Sequence, residues 1–337
     1  MNTKALKELI AIDSPSGYTR EASQYVFDYL KNMGWNPEFT NKGAVKCNFG
    51  QEAKLSIAAH VDTLGAVVSG INSDGTLRFS KVGGPSLNAY EGSYVRIRTL
   101  EDKCYEGTLL LKDPAVHANN KQGKTERSEE NMCIRIDEEV DSKESVEKLG
   151  VSQGDFICFE PYYTELDSGF IKSKFMDNKA GCFVLMELAK NIKASGKSYP
   201  VEIFFSNYEE VGHGGTVGYG SEVDELLVID MGVIGEACSG LETTCSICAK
   251  DSSGPYDYEF RKKLTQLAQK NKIPHRVDVY PFYGSDGSAA LRAGNDLRVG
   301  LIGPGVSASH GIERTHKKGI QASIELCEAY IKSRFGN

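Results

Sequence analysis

Two adjacent carboxylates, Glu209 and Glu210, closely follow an apolar run at residues 201–205. The length of that run and its β-branched and aromatic content predict a buried strand, so the two acids stand near its end. Like charges at this spacing repel each other, and leaving water costs each of them free energy. The pair is therefore either a solvated turn or a place where a cation, a metal ion or a proton held at a raised pKa compensates the charge.

Acids and imidazoles also mark the ends of other predicted strands and helices, at His60, Asp62, Asp177, Asp230 and His310. The spacing of two sends the side chains of His60 and Asp62 to the same side of their strand. In α/β sheets, chemistry gathers in the loops beyond the carboxyl ends of the strands. A helix cap, a turn or a satisfied core histidine would explain each residue taken singly. Their joint placement at alternating strand ends is much harder to attribute to chance.

The residue types in this set indicate metal chemistry. Two histidines and several carboxylates, without cysteine, are the ligand set of a hydrolytic site that holds two divalent ions. Ions about 3.5–4 Å apart polarise a scissile carbonyl and deliver hydroxide at neutral pH. Serine or cysteine nucleophiles are not indicated, because the sequence contains neither Gly-x-Ser-x-Gly nor a Cys-His signature.

The 337 residues have a composition ordinary for a globular protein, with 40% hydrophobic and 25% charged residues and a net charge of −7. The acidic balance, without any basic block, argues against nucleic acid and against an anionic membrane surface as partners. No apolar run approaches bilayer length, and the first residues lead into a polar helix rather than a signal peptide. We therefore expect a cytoplasmic protein.

Nine cysteines, an odd number, are scattered through the predicted strands and helices, which indicates reduced thiols. Cys245 and Cys248 have the spacing of a redox motif but stand in an apolar alternating run. We interpret them as strand packing, with a redox or zinc role as the alternative.

The order of the predicted elements is that of an α/β protein. After about residue 170, strands alternate with helices, which predicts a mixed, mainly parallel sheet flanked by helices. Between residues 66 and 167, short strands at close spacing predict a small β-rich unit, which we interpret as an insertion. The main domain then comprises residues 1–65 and 168–337.

Several motifs resemble, in order and spacing over nearly the whole chain, the glutamyl and deblocking aminopeptidases, also called tetrahedral or TET aminopeptidases. They are His60-Val61-Asp62, Met176-Asp177-Asn178-Lys179, Glu209-Glu210-Val211-Gly212, Val228-Ile229-Asp230, Tyr283-Gly284-Ser285-Asp286-Gly287 and Ser309-His310-Gly311. The resemblance implies a zinc-peptidase-like fold with two divalent metal ions per subunit, zinc or else cobalt or manganese. It further implies that residues 66–167 serve oligomerisation and that the protein is a homo-oligomer, such as a dodecamer.

The resemblance also implies roles for single residues. The metal ligands would be His60, Asp177, Glu210, Asp230 and His310. Asp177 would bridge the ions, Glu209 would be the general base and Asp62 would orient His60. Residue-level reasoning agrees on Glu209, because neighbouring side chains at a strand end diverge and one of the pair can face the water.

Three features depart from the usual family pattern. Thr63 stands where an acidic residue is usual, and His213 stands where an arginine is usual. His316 competes with His310 for the last ligand position, because Arg314-Thr315-His316 also echoes the family pattern. We prefer His310 for its distance from the last helix.

Three functions remain open from the sequence. The favoured one is a metalloaminopeptidase that hydrolyses N-terminal residues from peptides. The alternative is a two-metal carboxypeptidase or N-deacylase. An enzyme that recognises a carboxylate of its substrate needs a cationic residue near the site, and we can place none. A non-catalytic binding or assembly protein is disfavoured, because Glu209 and all the predicted ligands are present. Residues 284–287 either shape the pocket or form a plain turn and helix start.

Overall fold

The computed structural model describes residues 1–336. The chain divides into two compact units, one that combines Met1–Asp62 with the chain from Tyr162 onward, and one that spans Thr63–Pro161. The sequence predicts the insertion at 66–167, so the second unit begins and ends a few residues earlier than that range. None of the helices in residues 1–336 combines the length and the apolar composition that a bilayer span requires.

The helices are α1 (Lys4–Ala11), α2 (Arg20–Asn32), α3 (Leu87–Tyr90), α4 (Lys143–Leu149), α5 (Met176–Ser195), α6 (Tyr258–Lys270), α7 (Asp286–Arg292) and α8 (Lys317–Phe335). The strands are β1 (Glu38–Phe39), β2 (Val45–Asn48), β3 (Leu55–His60), β4 (Gly65–Ile71), β5 (Leu77–Val82), β6 (Tyr94–Arg98), β7 (Cys104–Leu111), β8 (Met132–Ile136), β9 (Phe156–Phe159), β10 (Thr164–Glu165), β11 (Phe170–Ser173), β12 (Val201–Ser206), β13 (Glu225–Ile229), β14 (Gly232–Ile234), β15 (Cys245–Asp251), β16 (Gly254–Pro255), β17 (His275–Val279), β18 (Arg298–Ser307) and β19 (Glu313–His316). Short 3₁₀ turns are at Gln122–Lys124, Glu209–Val211 and Gly214–Thr216.

The first unit is built around one mixed sheet with the order β1-β2-β12-β3-β13-β18-β19-β11-β10. The central strands β12, β3, β13 and β18 run parallel, whereas the pairs toward both margins are antiparallel. Every residue of β3, β12 and β13 is buried, as expected where helices cover both faces. The predicted α/β class with a mixed sheet is confirmed.

Helix α5 lies in the core of this unit, with residues 180–189 buried apart from Glu187. At Gly181 a Cβ would come within 2.8 Å of the carbonyl oxygen of Ile229, so only glycine permits this approach between helix and strand. The close packing sets the start of α5 against the end of β13.

The second unit is a closed barrel with the strand order β4-β5-β8-β7-β6-β9. Its β4–β5 and β6–β7 pairs are antiparallel hairpins. Alternating burial along the first residues of β5 directs one face to the interior of the barrel. The start of α4 is capped, because the Ser142 side chain accepts the backbone N–H of Ser145.

Two strands differ from the sequence prediction. The sequence of residues 36–48 predicts one strand, but it forms two short strands, because the chain turns between them with Gly43 at a φ of +84°. The largely apolar residues 297–302 predict a strand that is only the first half of β18, which then exchanges its partner β13 for β14, β15 and β19. The local hydrophobic pattern does not carry information on such a change of partner.

Gly303 lies at this exchange point, and a Cβ added there would stand 1.8 Å from the carbonyl oxygen of Asp230. Gly303→Ala must therefore push the two backbones apart, and we expect the free energy of unfolding to fall by about 1–3 kcal/mol. Urea denaturation followed by circular dichroism measures the change. Gly235→Ala is the matched control, because a Cβ there meets no atom within 4 Å. Equal stability of the two variants would contradict the expectation.

Candidate metal centre

The adjacent carboxylates stand beside a histidine of the neighbouring parallel strand. The last residue of β12 is paired in register with His60, the last residue of β3. Beyond β12 the chain turns sharply, with φ values of +67° at Tyr208 and +86° at Gly212. Glu209 and Glu210 occupy the single 3₁₀ turn between these two residues. The turn places both carboxylates beyond the carboxyl ends of the parallel strands.

Three further residues reach the same end of the sheet. Asp230 follows β13 directly, and Asp177 is in the first turn of α5. The side chain of Asn178 donates a hydrogen bond to the carbonyl oxygen of Ile229 at 2.8 Å, which ties the start of α5 to the end of β13. His310 lies in the loop between β18 and β19 and has a φ of +61°.

Asp177 lies between two imidazoles. Its Oδ1 is 3.3 Å from Nε2 of His60, and its Oδ2 is 3.5 Å from Nε2 of His310. Nε2 of His310 is also 3.5 Å from Oε2 of Glu210, and Nε2 of His60 is 3.6 Å from Oε2 of Glu209. One carboxylate thus faces both histidines with separate oxygens.

The residues fit a divalent cation. Potential ligand atoms lie within 4.8 Å of one another in two overlapping groups, His60 with Asp177 and Glu210, and His60 with Glu209 and Asp230. Nε2 of His60 and Oε1 of Glu210 are buried and have no hydrogen-bond partner among residues 1–336. Because buried polar atoms are nearly always satisfied, these orphaned atoms point to a partner such as a metal ion.

Burial raises the pKa of three of the carboxylates. The pKa values of Glu209 and Glu210 lie well above the ordinary range, and that of Asp230 is raised to about 8. The charge of Asp177 adds to the effect of burial on each of them. A nearby dication would favour the ionised forms and so lower these pKa values.

The opposite shift occurs where acids and imidazoles meet. Burial alone would raise the pKa of Asp177, but contacts with His310 and His60 lower it below its ordinary value. Burial alone would lower the pKa of His60, yet Glu209, Asp177 and Asp62 raise it well above the ordinary range.

Asp62 is completely buried and holds the turn after β12. Its carboxylate accepts the backbone N–H groups of Glu209 at 3.1 Å and Glu210 at 3.2 Å, and the hydroxyl of Ser16 also donates to it. Nδ1 of His60 lies 3.0 Å from the carbonyl oxygen of Asp62 and 3.5 Å from its Oδ1. Burial would raise the pKa of Asp62, but bonds with His60, Ser16 and the Glu209 backbone lower it.

Two other buried acids were not singled out by the sequence analysis. The carboxylate of Asp286 accepts the hydroxyl of Ser206 and, at 2.7 Å, the backbone N–H of Gly215. The carboxylate of Glu313 accepts the backbone N–H groups of Asp177 and His310. Asp286 belongs to a quoted motif, whereas nothing in the local sequence distinguishes Glu313.

His316 is placed away from the centre. Its Nδ1 accepts the backbone N–H of Lys318 at 2.9 Å, so Nε2 carries the proton that is donated to the carbonyl oxygen of Ser168 at 3.0 Å. Its ring packs edge-on against Phe170. Both ring nitrogens are therefore occupied, and the structure brings His310, not His316, to Asp177 and Glu210.

A cavity of about 490 Å³ opens beside the centre. Its lining includes the carboxylates and also residues of the segment before α7 and of α7 itself: Phe282, Tyr283, Gly284, Ser285, Ala289 and Arg292. Ser285 is also the N-cap of α7, with a capping box to Ser288. Within residues 284–287, Gly284 and Ser285 thus line the cavity, and Asp286 and Gly287 start the helix.

Thr63 and His213, which depart from the usual family pattern, are not among the residues that line this cavity. The ring of His213 stacks on Tyr208, with 5.1 Å between ring centroids. The backbone carbonyl oxygen of His213 accepts a hydrogen bond from the ammonium group of Lys42 at 2.6 Å. The hydroxyl of Thr63 donates to the carbonyl oxygen of Leu64 at 3.2 Å. Cys245 and Cys248 are buried free thiols in β15, which confirms the interpretation as strand packing.

A profile described as M42 glutamyl aminopeptidase matches residues 43–326. The chain belongs to this family. It is 42% identical over 333 residues to the Bacillus subtilis (strain 168) protein named "Putative aminopeptidase YhfE", with 97% of this chain and 96% of that protein covered. The family predicted from the sequence is confirmed, and so is the enzyme class, a metal-dependent aminopeptidase.

Solved structures show the same fold. The TET aminopeptidase of the marine sediment archaeon Thaumarchaeota archaeon SCGC AB-539-E09 has a TM-score of 0.87 and 22% identity, over 98% of this chain and 96% of that chain. The TET1 peptidase of Pyrococcus horikoshii, which can assemble into a tetrahedron or a large octahedral shell, has a TM-score of 0.86 and 23% identity, over 97% of this chain and 98% of that chain. At these identities the likeness concerns the fold.

Removing either histidine side chain distinguishes the candidates for the last ligand. We expect His310→Ala to bind less metal, because Asp177 and Glu210 lose the imidazole that lies 3.5 Å from each of them. His316→Ala should keep the metal content of the unsubstituted protein, since both ring nitrogens of His316 serve backbone groups. Elemental analysis of the purified proteins measures the content, and a loss confined to His316→Ala would reverse the assignment.

Proposed function

We propose that the reaction of this aminopeptidase takes place in the cavity beside His60 and His310, on a centre of two divalent ions. The position of Asp177, with one carboxylate oxygen facing each imidazole, is the observation that carries the proposal. The proposed ligands are His60, Asp177, Glu210, Asp230 and His310, with Asp177 bridging. Zinc is the proposed ion, with cobalt and manganese as alternatives, because mixed imidazole and carboxylate ligands suit these metals.

Glu209 is the proposed general base. When bound, the ions would polarise the scissile carbonyl and lower the pKa of water. The side chain of Glu209 is 16% exposed and that of Glu210 is 3% exposed, so Glu209 is the more accessible of the pair. Glu209 would take a proton from the attacking water and pass it to the leaving amine. Asp62 would keep both acids in place through their backbone N–H groups.

The carboxylates that line the cavity support recognition of a free amino group. The N-terminus of a peptide carries positive charge when protonated, and clustered acids attract it. Arg292, a cation that the sequence analysis could not place, also lines this cavity and donates a hydrogen bond to Oγ of Ser253 at 3.0 Å. Arg292 could bind a substrate carboxylate, which keeps carboxypeptidase or N-deacylase activity as the second candidate for this cavity.

We also propose a homo-oligomer with the barrel unit as the assembly domain and peptides as substrates. The assembly of the Pyrococcus horikoshii TET1 peptidase, whose fold this chain shares, supports a closed shell such as a dodecamer. A cytoplasmic location is proposed, because an odd number of cysteines scattered through strands and helices is typical of reduced thiols.

Glu209→Gln tests the general base. The amide keeps the shape of the side chain but cannot take up the proton, so we expect kcat to fall by about 10²–10⁴-fold. Metal content should stay near that of the unsubstituted protein, because Glu209 is not a proposed ligand. Turnover equal to that of the unsubstituted enzyme would reject the role, and loss of metal would make Glu209 a ligand.

A panel of aminoacyl chromogenic amides, with N-acetylated counterparts and C-terminal carboxylate substrates, tests the reaction. We expect the metal-loaded enzyme to cleave the amides that have a free amine and not their N-acetylated counterparts. The chelated enzyme should cleave neither. Preferential cleavage of the acetylated or carboxyl-terminal substrates would favour the second candidate. Arg292→Ala would then remove that activity, because the guanidinium group is the proposed partner of the substrate carboxylate.

A further inference from the structure

The carboxyl group of Glu313 joins two distant segments of the chain. Glu313 is the first residue of β19 and is 2% exposed. Its Oε2 accepts the backbone N–H of Asp177 at 3.1 Å, and its Oε1 accepts the backbone N–H of His310 at 3.0 Å. The side chains of these two residues meet at 3.5 Å between Nε2 of His310 and Oδ2 of Asp177.

Neither backbone N–H lies in a regular helix or strand. Asp177 has φ −80° and ψ 100°, which is not helical although it stands in the first turn of α5. His310 has a φ of +61°, a left-handed conformation that is unfavourable for a non-glycine residue and persists only where the surroundings hold it. A buried hydrogen bond from its N–H supplies such a constraint.

We propose that Glu313 is a positioning residue that sets the Asp177–His310 distance, and so the shape of the metal centre, by binding both backbone N–H groups with one carboxylate. The proposal rests on the proposed metal centre. The group is suited to this, since a carboxylate offers acceptors at both oxygens and charged acceptors form the stronger hydrogen bonds. The carboxylate of Asp62 likewise accepts the backbone N–H groups of Glu209 and Glu210, so each of these two residue pairs is held by its own buried carboxylate.

Glu313→Gln is the decisive variant. An amide has the same size but offers one oxygen acceptor and an NH₂ donor, so it can bind only one of the two N–H groups. Glu202→Gln is the matched control, because Glu202 is also a buried acid, 1% exposed, that accepts a backbone N–H, that of Gly220 at 3.1 Å. Glu202 lies in β12 and is not one of the residues of the proposed centre. The probe is Co²⁺ titrated into the apo proteins and followed by its visible absorption, with the thermal midpoints of the apo proteins measured in parallel.

We expect Glu313→Gln to bind Co²⁺ about 10–100-fold more weakly and with an altered visible spectrum, as other changes next to metal ligands do. Glu202→Gln should keep the affinity and spectrum of the unsubstituted protein. Glu313→Asp, which keeps both acceptors on a shorter chain, should lie between Glu313→Gln and the unsubstituted protein, and it decides the matter if the amide variant does not fold.

Unchanged affinity and spectrum in the Glu313 variants would overturn the proposal. An equal loss in Glu202→Gln would overturn it as well, since the effect would then be one of general stability. Failure of the unsubstituted protein to bind Co²⁺ would instead reject the metal centre itself, which separates this proposal from the proposed function.

Discussion

The repulsion between carboxylates that converge beyond the central strands is the constraint on which the structure depends. Four acids line the cavity, Asp177, Glu209, Glu210 and Asp230. Burial and mutual repulsion disfavour their charged forms, and only at Asp177 do the imidazoles outweigh burial and bring the pKa below its ordinary value. A protein that only needed to be stable would not gather them, since paired apolar residues would fill the same space at lower cost. The proposed pair of divalent ions would resolve the conflict, and the ring nitrogen of His60 that has no hydrogen-bond partner among residues 1–336 is consistent with it.

Further buried acids hold this arrangement from behind. Asp62, Asp286 and Glu313 each accept backbone N–H groups from the segments that carry or adjoin the proposed ligands. The two groups of carboxylates thus differ in their surroundings: those that line the cavity stand beside the imidazoles, and the others accept backbone hydrogen bonds. The segments bound in this way are loops and single turns, whereas His60 and Asp230 are positioned by the ends of β3 and β13.

The aromatic residues and the arginine that line the cavity bear on the proposed selectivity. Phe282 is 94% exposed, whereas the hydroxyl of Tyr283 donates to the carbonyl oxygen of Met231, the residue after Asp230. Arg292 adds a positive charge to the lining that contains the acids. The lining of the cavity therefore combines carboxylates, an arginine and aromatic rings.

The sequence by itself determined the class of fold and the set of residues brought together, because both depend on local patterns. Apolar runs that end in His60, Glu209 and Asp230 specify buried parallel strands, and strand ends meet at one edge of such a sheet. Only the tertiary structure decided what depends on long-range pairing: the exchange of partners along β18, the choice of His310 over His316, and the presence of Arg292 in the cavity wall. Glu313 shows the reason most clearly, since its partner Asp177 lies 136 residues away and a hydrogen bond over that distance leaves no periodic trace in the chain.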